Sequence, residues 1–401
     1  MATAIQGTKP AGSARESLAG IKVIDVDTHL TEPHDLWTSR APAKWKDLVP
    51  QVKIVKGRRQ WVIDGEKPMA VANPSSVIRT DGVKSKGIEF LKWEIEQVHT
   101  GSYDIKSRLK FMDSEGIWAQ IIYPNLLGFG GQRAATLDPE LRVLCTQIFN
   151  DAMAEIQQES GNRIFPMALM PWWDIDIAVK ETVRCHEMGL KGINTNSSPQ
   201  DHNVPDLGKR HWDPLWEVCS DLGMPVNFHI GSSTEGVDWF GKAAWPSQTN
   251  EQKIALGSTM LFMHNAQVFA NIVYSGILER FPKLNFVSVE SGVGWLPFLL
   301  EALDYEMDEA APHSMDFLTM KPSEYFKRQI YACFWFEQKA FRTALDAVGV
   351  DHLMFETDFP HPTCLYPNAL DRVAGTLEGL DYEDKRKLLS SNASRVYSIP
   401  V

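Results

Sequence analysis

From residue 105 onward the chain alternates short apolar runs with amphipathic helices, and this rhythm restricts its fold more than any other feature. Ile117–Tyr123 (IWAQIIY), Ile164–Met170, Leu190–Thr195, Val226–Ile230, Leu284–Val289, Ile330–Trp335 and His352–Glu356 each read as a strand. With Ile21–Asp27 (IKVIDVD) near the start they make eight. The runs are nearly continuous in apolar residues, as strands covered on both faces must be. Helical patterns fill the gaps at 105–115, 138–160, 174–188, 211–222, 251–279, 294–309 and 337–348. Such alternation leaves a doubly wound sheet or a closed barrel. No G-x-G-x-x-G follows the first strand, which removes the main mark of a dinucleotide-binding sheet. Eight units predict an α/β chain folded as a (β/α)8 TIM barrel, in one domain over residues 21–401. Residues 1–20 are expected to form a flexible N-terminal arm. Residues 51–72 read as a β-hairpin inserted after strand one, turning at Gly57-Arg58-Arg59 with a second turn at Asp64-Gly65, within an insertion over residues 51–104.

Composition narrows the partners. The 401 residues carry a net charge of −11. They show no dense Lys/Arg stripe, which argues against nucleic acid. No apolar stretch is long enough to span a bilayer. The polar start, Met1–Ala19, lacks the apolar run of a signal peptide, so a cytoplasmic location is expected. Cys145, Cys185, Cys219, Cys333 and Cys364 include no CxxC pair and predict free, buried thiols.

Barrel enzymes carry their chemistry at the C-terminal ends of the strands. Strand one ends in Asp27-Thr28-His29, strand five in His229, strand six in Glu290, and strand eight in Asp358 with His361 just beyond. Asp27 and His29 are two apart, so both face the same side of their strand. Imidazole and carboxylate are the ligand types of zinc and related transition metals. Four strand ends carrying them predict one metal centre held by Asp27, His29, His229, Asp358 and Glu290. Each residue has a plainer role when taken alone. Asp358 can close an Asx turn before Pro360, His229 can be a core histidine, and Glu290 can cap the helix that follows. Glu32, Glu337 and Asn125 are weaker candidates, and His264 is expected to pack within a helix. Trp172, Trp173, Trp239, Trp245 and Trp335 are placed either to line an apolar pocket or to pack in the core.

The segments DVDTHLTEPHDLW, GILERFPKLNFVSVESGVGWLPFLLE, MFETDFPHP and SNASRVY together resemble the amidohydrolase-2 family, the barrel proteins related to aminocarboxymuconate-semialdehyde decarboxylase. The resemblance runs from about residue 21 to the end, apart from the hairpin. It implies a metal-bearing barrel acting on small organic acids, esters, lactones or amides. In decarboxylase members, strand one supplies HxH or ExH, strand five a His ligand, strand six a catalytic His and strand eight an Asp. Asp27 stands at the first of these positions, and His29, His229 and Asp358 match the other ligand positions. Glu290 departs from the pattern, because it stands where the decarboxylases have their catalytic histidine. A subgroup with E-x-G-x-G-W-x-P, labelled as metal-dependent hydrolases, is closer to this chain.

The sequence therefore predicts a metal-dependent hydrolase of a small organic ester, lactone, thioester or amide, with Asp358, Glu290 and His361 as catalytic residues. Asp358 or Glu290 would handle the proton of an activated water. The alternative is non-oxidative decarboxylation of an aromatic or unsaturated carboxylic acid. The expected cofactor is a divalent transition metal, zinc first, with manganese or iron also compatible, as one or two ions. The expected partner is a small-molecule substrate, with neither nucleic acid nor membrane, and a homodimer is compatible with the fold. A barrel used only for binding or assembly would have no need of so many ligand-type residues at one rim.

Overall fold

A computed structural model describes residues 15–401. Strand β1, Val23–His29, is buried along its whole length. The chain then leaves the barrel for an antiparallel sheet of β2 (Gln51–Val55), β3 (Arg58–Ile63) and β4 (Lys67–Val71). The expected hairpin is thus three-stranded, because the second turn leads into a further paired strand. Val55 faces Arg58 across a two-residue loop whose residues, Lys56 and Gly57, both have positive φ. Two positive φ values are what a type I′ hairpin turn requires. Trp61 of β3 is buried and meets Trp37 edge to face at 5.7 Å, which seats this sheet on the barrel.

The remaining strands run in parallel. β5 (Ile117–Tyr123) pairs with β1 on one side and with β6 (Ile164–Pro166) on the other. The run from Ile164 to Leu169 changes neighbours midway. Met167 donates to Ile122 O, whereas Ala168 donates to Gly192 O, so β7 (Ala168–Leu169) pairs with β8 (Ile193–Asn194) instead. The order continues through β9 (Val226–His229), β10 (Phe286–Val289), β11 (Ile330–Phe334) and β12 (Leu353–Phe355). The ring closes where Asp358 N donates to Asp27 O at 2.9 Å and His29 N donates to Phe359 O at 2.8 Å.

The helices begin and end where their sequences dictate. Asp104 caps Ile105–Glu115 by accepting from Ser107 N, and Gly116 closes it at φ 79°. Asp138 caps Pro139–Glu159, and Asp174 caps Ile175–Glu187. Such caps accept N–H groups that have no partner within the helix. The helical run expected over 251–279 is two helices, Asn250–Tyr274 and Ile277–Arg280, parted at Gly276 with φ 76°. Helices Thr234–Lys242 and Pro322–Gln329 fall in stretches where no helix was expected.

Of the expected arm, residues 1–14 lie outside the described residues. At 15–20, Leu18 is buried and Arg15 donates to Glu115 O. All five cysteines are free and buried. No helix among the described residues is long and apolar enough to cross a membrane.

Candidate metal centre

Asp27 and His29 stand two apart at the end of β1, past a slip in its register between Asp25 and Thr28. Asp27 and His29 reach the C-terminal mouth of the ring, and His229 joins them from the end of β9. Its Nε2 lies 3.2 Å from Nε2 of His29. His229 Nδ1 bonds Ile230 O at 2.8 Å, which leaves Nε2 bare and directed inward. Glu290, one residue past β10, places Oε2 3.1 Å from His229 Nε2. Asp358 Oδ1 lies 3.7 Å from His29 Nε2 and 3.2 Å from His361 Nδ1. The His361 ring stacks on His29 at 3.7 Å, and its Nε2 bonds Asn125 Oδ1. All six predicted site residues therefore meet in one place.

The backbone is shaped to deliver the two late carboxylates. Glu290 has φ 55° and Asp358 φ 58°, left-handed values that non-glycine residues avoid. Each such residue costs about 1–3 kcal/mol, a strain that clusters at functional sites. Gly292 follows at φ 64°, and a Cβ there would meet Glu337 Oε1 at 2.3 Å. Glu337 in turn accepts from Val293 N at 2.6 Å and Trp335 N at 3.2 Å. Glu337 thus holds the Glu290 loop. Glu32 has a similar task, accepting from Asn125 N and Leu126 N. His264 is buried in its helix, as expected.

Two further buried carboxylates lie close to the centre without joining its donor atoms. Asp25 accepts from Thr357 N, Thr357 Oγ1 and Gln120 Nε2, yet burial still pushes its carboxyl up to about 7. Glu356 is wholly buried and accepts from Glu290 N at 3.2 Å. Glu356 could have been found by extending the period-two rule back from Asp358, whereas the slip in register between Asp25 and Thr28 hides Asp25 from that rule. Beneath them lies Arg108, fully buried, donating to Gly101 O, Gln120 Oε1 and His29 O. No local pattern marks it, because its role depends on contacts far along the chain.

Burial pushes the carboxyls of Asp27, Glu290, Glu356 and Asp358 up, and mutual repulsion adds to the first three. Burial pushes His229 down to about 3, and burial with the neighbouring imidazoles lowers His29. The histidines are therefore neutral and able to act as ligands at ordinary pH. Both oxygens of Asp27 and Oδ1 of Asp358 are buried without a hydrogen-bond partner. A bound cation would satisfy such acceptors. One donor atom each from Asp27, His29, His229 and Glu290 lies within 4.8 Å of the others, as does one each from His29, Glu290, Asp358 and His361. That span is close to twice a metal–ligand bond of ~2.1 Å. The residues fit a divalent ion.

Phe129 covers one side of the centre. Its ring lies 4.1 Å from that of His229 and 5.4 Å from that of His29. The loop that carries it is pinned by Trp172 Nε1 and Asn194 Nδ2, which donate to Gly130 O and Phe129 O. Trp172 thus braces a site loop from within the core, whereas Trp245 is 76% exposed.

A family model described as amidohydrolase matches residues 24–399. The chain belongs to the amidohydrolase family. It is 24% identical over 304 residues to a gamma-resorcylate decarboxylase of Polaromonas sp. JS666, covering 73% of this chain and 86% of the relative. Its fold matches the crystal structure of an amidohydrolase from Mycobacterium avium subsp. paratuberculosis K-10 with a TM-score of 0.74, at 23% identity over 94% of this chain and 99% of the other. A dihydroxybenzoic acid decarboxylase of Polaromonas sp. JS666, crystallised with manganese and the inhibitor 2-nitroresorcinol, matches with a TM-score of 0.62, at 18% identity over 94% and 97% of the two chains.

Proposed function

We propose that this amidohydrolase-family chain is a divalent-metal-dependent, non-oxidative decarboxylase of a small aromatic or unsaturated carboxylic acid. The observation that carries this reading is the buried convergence of Asp27, His29, His229 and Glu290 with the Asp358–His361 pair beside them. The decarboxylase names of relatives support it over the hydrolase expected from the sequence. The donor set suits manganese at least as well as zinc, since carboxylate oxygens favour the harder ion. The manganese of the Polaromonas relative points the same way.

Asp27, His29, His229 and Glu290 would hold the ion. When bound, it supplies Lewis-acid stabilisation of the substrate's anionic oxygens. Asp358 carries the proton. Burial raises its carboxyl, and His361 Nδ1, 3.2 Å from Oδ1, is placed to replace the proton after transfer. The vacated carbon takes that proton as carbon dioxide leaves, so no oxidant is required. Phe129 keeps water from the imidazole side, which favours protonation by one defined acid.

One observation favours hydrolysis as a second reading. Glu290 stands where the decarboxylases carry a histidine, and a carboxylate at the mouth can act as base toward water. Manganese-loaded protein incubated with hydroxybenzoates in heavy water separates the two readings. Carbon dioxide release with deuterium at the vacated carbon is expected. Turnover of esters or lactones without carbon dioxide from any acid would overturn the decarboxylase reading.

A further inference from the structure

A cleft of about 1080 Å³ lies between residues 77–88 of the insertion, one face of helix Asn250–Tyr274 and the loop that follows β12. Ile254, Ala255, Phe262, Phe336 and Tyr366 give it apolar walls. Phe336 is 52% exposed and Val83 54%, so apolar surface faces solvent along it. A concave apolar surface of this kind marks a binding site. The walls are fixed to one another, because Val77 N donates to Pro360 O at 3.0 Å and the Tyr366 hydroxyl donates to Gly82 O at 2.8 Å. One residue links the cleft to the metal centre. Thr363 lines it and donates Oγ1 to Asp358 Oδ2 at 2.8 Å.

Its size and charge indicate what it takes. The volume lies just above the ~300–1,000 Å³ range of pockets that bury drug-sized ligands, and one aromatic ring fills little of it. Lys84, Lys86 and Arg372 line it against a single acid, Glu251, in a chain of net charge −11. A local excess of cations draws in an anion toward a centre otherwise crowded with carboxylates.

We infer that the cleft binds the apolar body of an amphiphilic carboxylic acid, larger than a single ring, whose carboxyl end reaches the metal centre past Thr363. This rests on the acid-binding reading of the centre. Ala255 and Ser258 lie on the cleft face of their helix without touching the metal ligands, so Ala255→Trp and Ser258→Trp fill the cleft and leave the centre intact.

The test is equilibrium binding to the manganese-loaded protein, read by the fluorescence of anilinonaphthalene sulfonate and by its displacement with decanoate or benzoate. Saturable binding is expected, with decanoate displacing the probe at roughly tenfold lower concentration than benzoate, and with roughly tenfold weaker probe affinity in each tryptophan variant. Unchanged probe affinity in both variants, each with a native circular dichroism spectrum, would overturn the inference, as would equal displacement by the two acids. Carbon dioxide plays no part in this readout. A failed decarboxylase reading therefore leaves the cleft result standing, and an empty cleft leaves decarboxylation standing.

Discussion

Glu290 Oε2 lies 3.1 Å from His229 Nε2, so a carboxylate from the sixth barrel strand and an imidazole from the fifth meet over one point. Removing the charge of Glu290 tests whether it belongs to the ion's donor set. Glu290→Gln is expected to weaken manganese binding by at least about tenfold, whereas Glu290→His, a neutral nitrogen donor, restores most of it. Isothermal titration with manganese measures both. Equal affinity in wild type and Glu290→Gln would remove Glu290 from the set.

Asp358→Asn cannot carry the proton assigned to Asp358. Its kcat is expected to fall by about 10²–10⁴, the range for losing a positioned acid, while manganese affinity changes far less. Single-turnover carbon dioxide release, together with metal content, reads the two separately. Wild-type turnover in this variant would refute the assignment.

Metal affinity should depend on pH through the carboxylates and not through the histidines. Burial raises Asp27 and Glu290, so each holds its proton to higher pH than the usual carboxylate range of ~4 and must release it to bind an ion. His29 and His229 are lowered and stay neutral throughout. Affinity is therefore expected to rise from acid pH to neutrality, with protons released on binding. Titrations in buffers of different ionisation enthalpy count those protons, and a flat profile would contradict the reading.

Gly292→Ala places a Cβ 2.3 Å from Glu337 Oε1 at a left-handed φ of 64°. The loop that bears Glu290 must shift. A loss of about 1–3 kcal/mol in stability is expected, together with loss of activity beyond what stability explains. Thermal unfolding and carbon dioxide release check the two parts.

Phe129→Ala opens the imidazole side of the centre to water. KM for planar acids is expected to rise while the metal stays bound, since Phe129 touches the ligand rings without being a ligand. Unchanged KM would show that the ring does not face substrate.

Most of the barrel was legible because buried strands and capped helices obey local rules. Ile117–Tyr123 and Ile105–Glu115 match the sequence reading residue for residue. The change of neighbour at Met167 was not legible, because which strand accepts a given N–H is a tertiary choice. Helix Thr234–Lys242 was missed because glycine and a short apolar stripe blur its period. In the site, strand-end logic found the residues at the mouth. It missed Arg108, whose partners Gly101, Gln120 and His29 are scattered along the chain. The switch in favoured chemistry came from relatives, since a carboxylate at 290 serves either reaction.

The ring closes between Asp27 and Asp358, at the same seam that carries the donor atoms. The first and last strands of the barrel therefore reach the site from opposite ends of the barrel's own sequence. A nascent chain presents Asp27 and His29 early, but two donors on one strand make an incomplete coordination sphere. His229, Glu290, Asp358 and His361 follow some two hundred residues or more later. A truncation that spares the first seven strands but removes the eighth keeps Asp27, His29, His229 and Glu290, yet it loses the bonds that close the ring and so leaves those donors without the frame that brings them together.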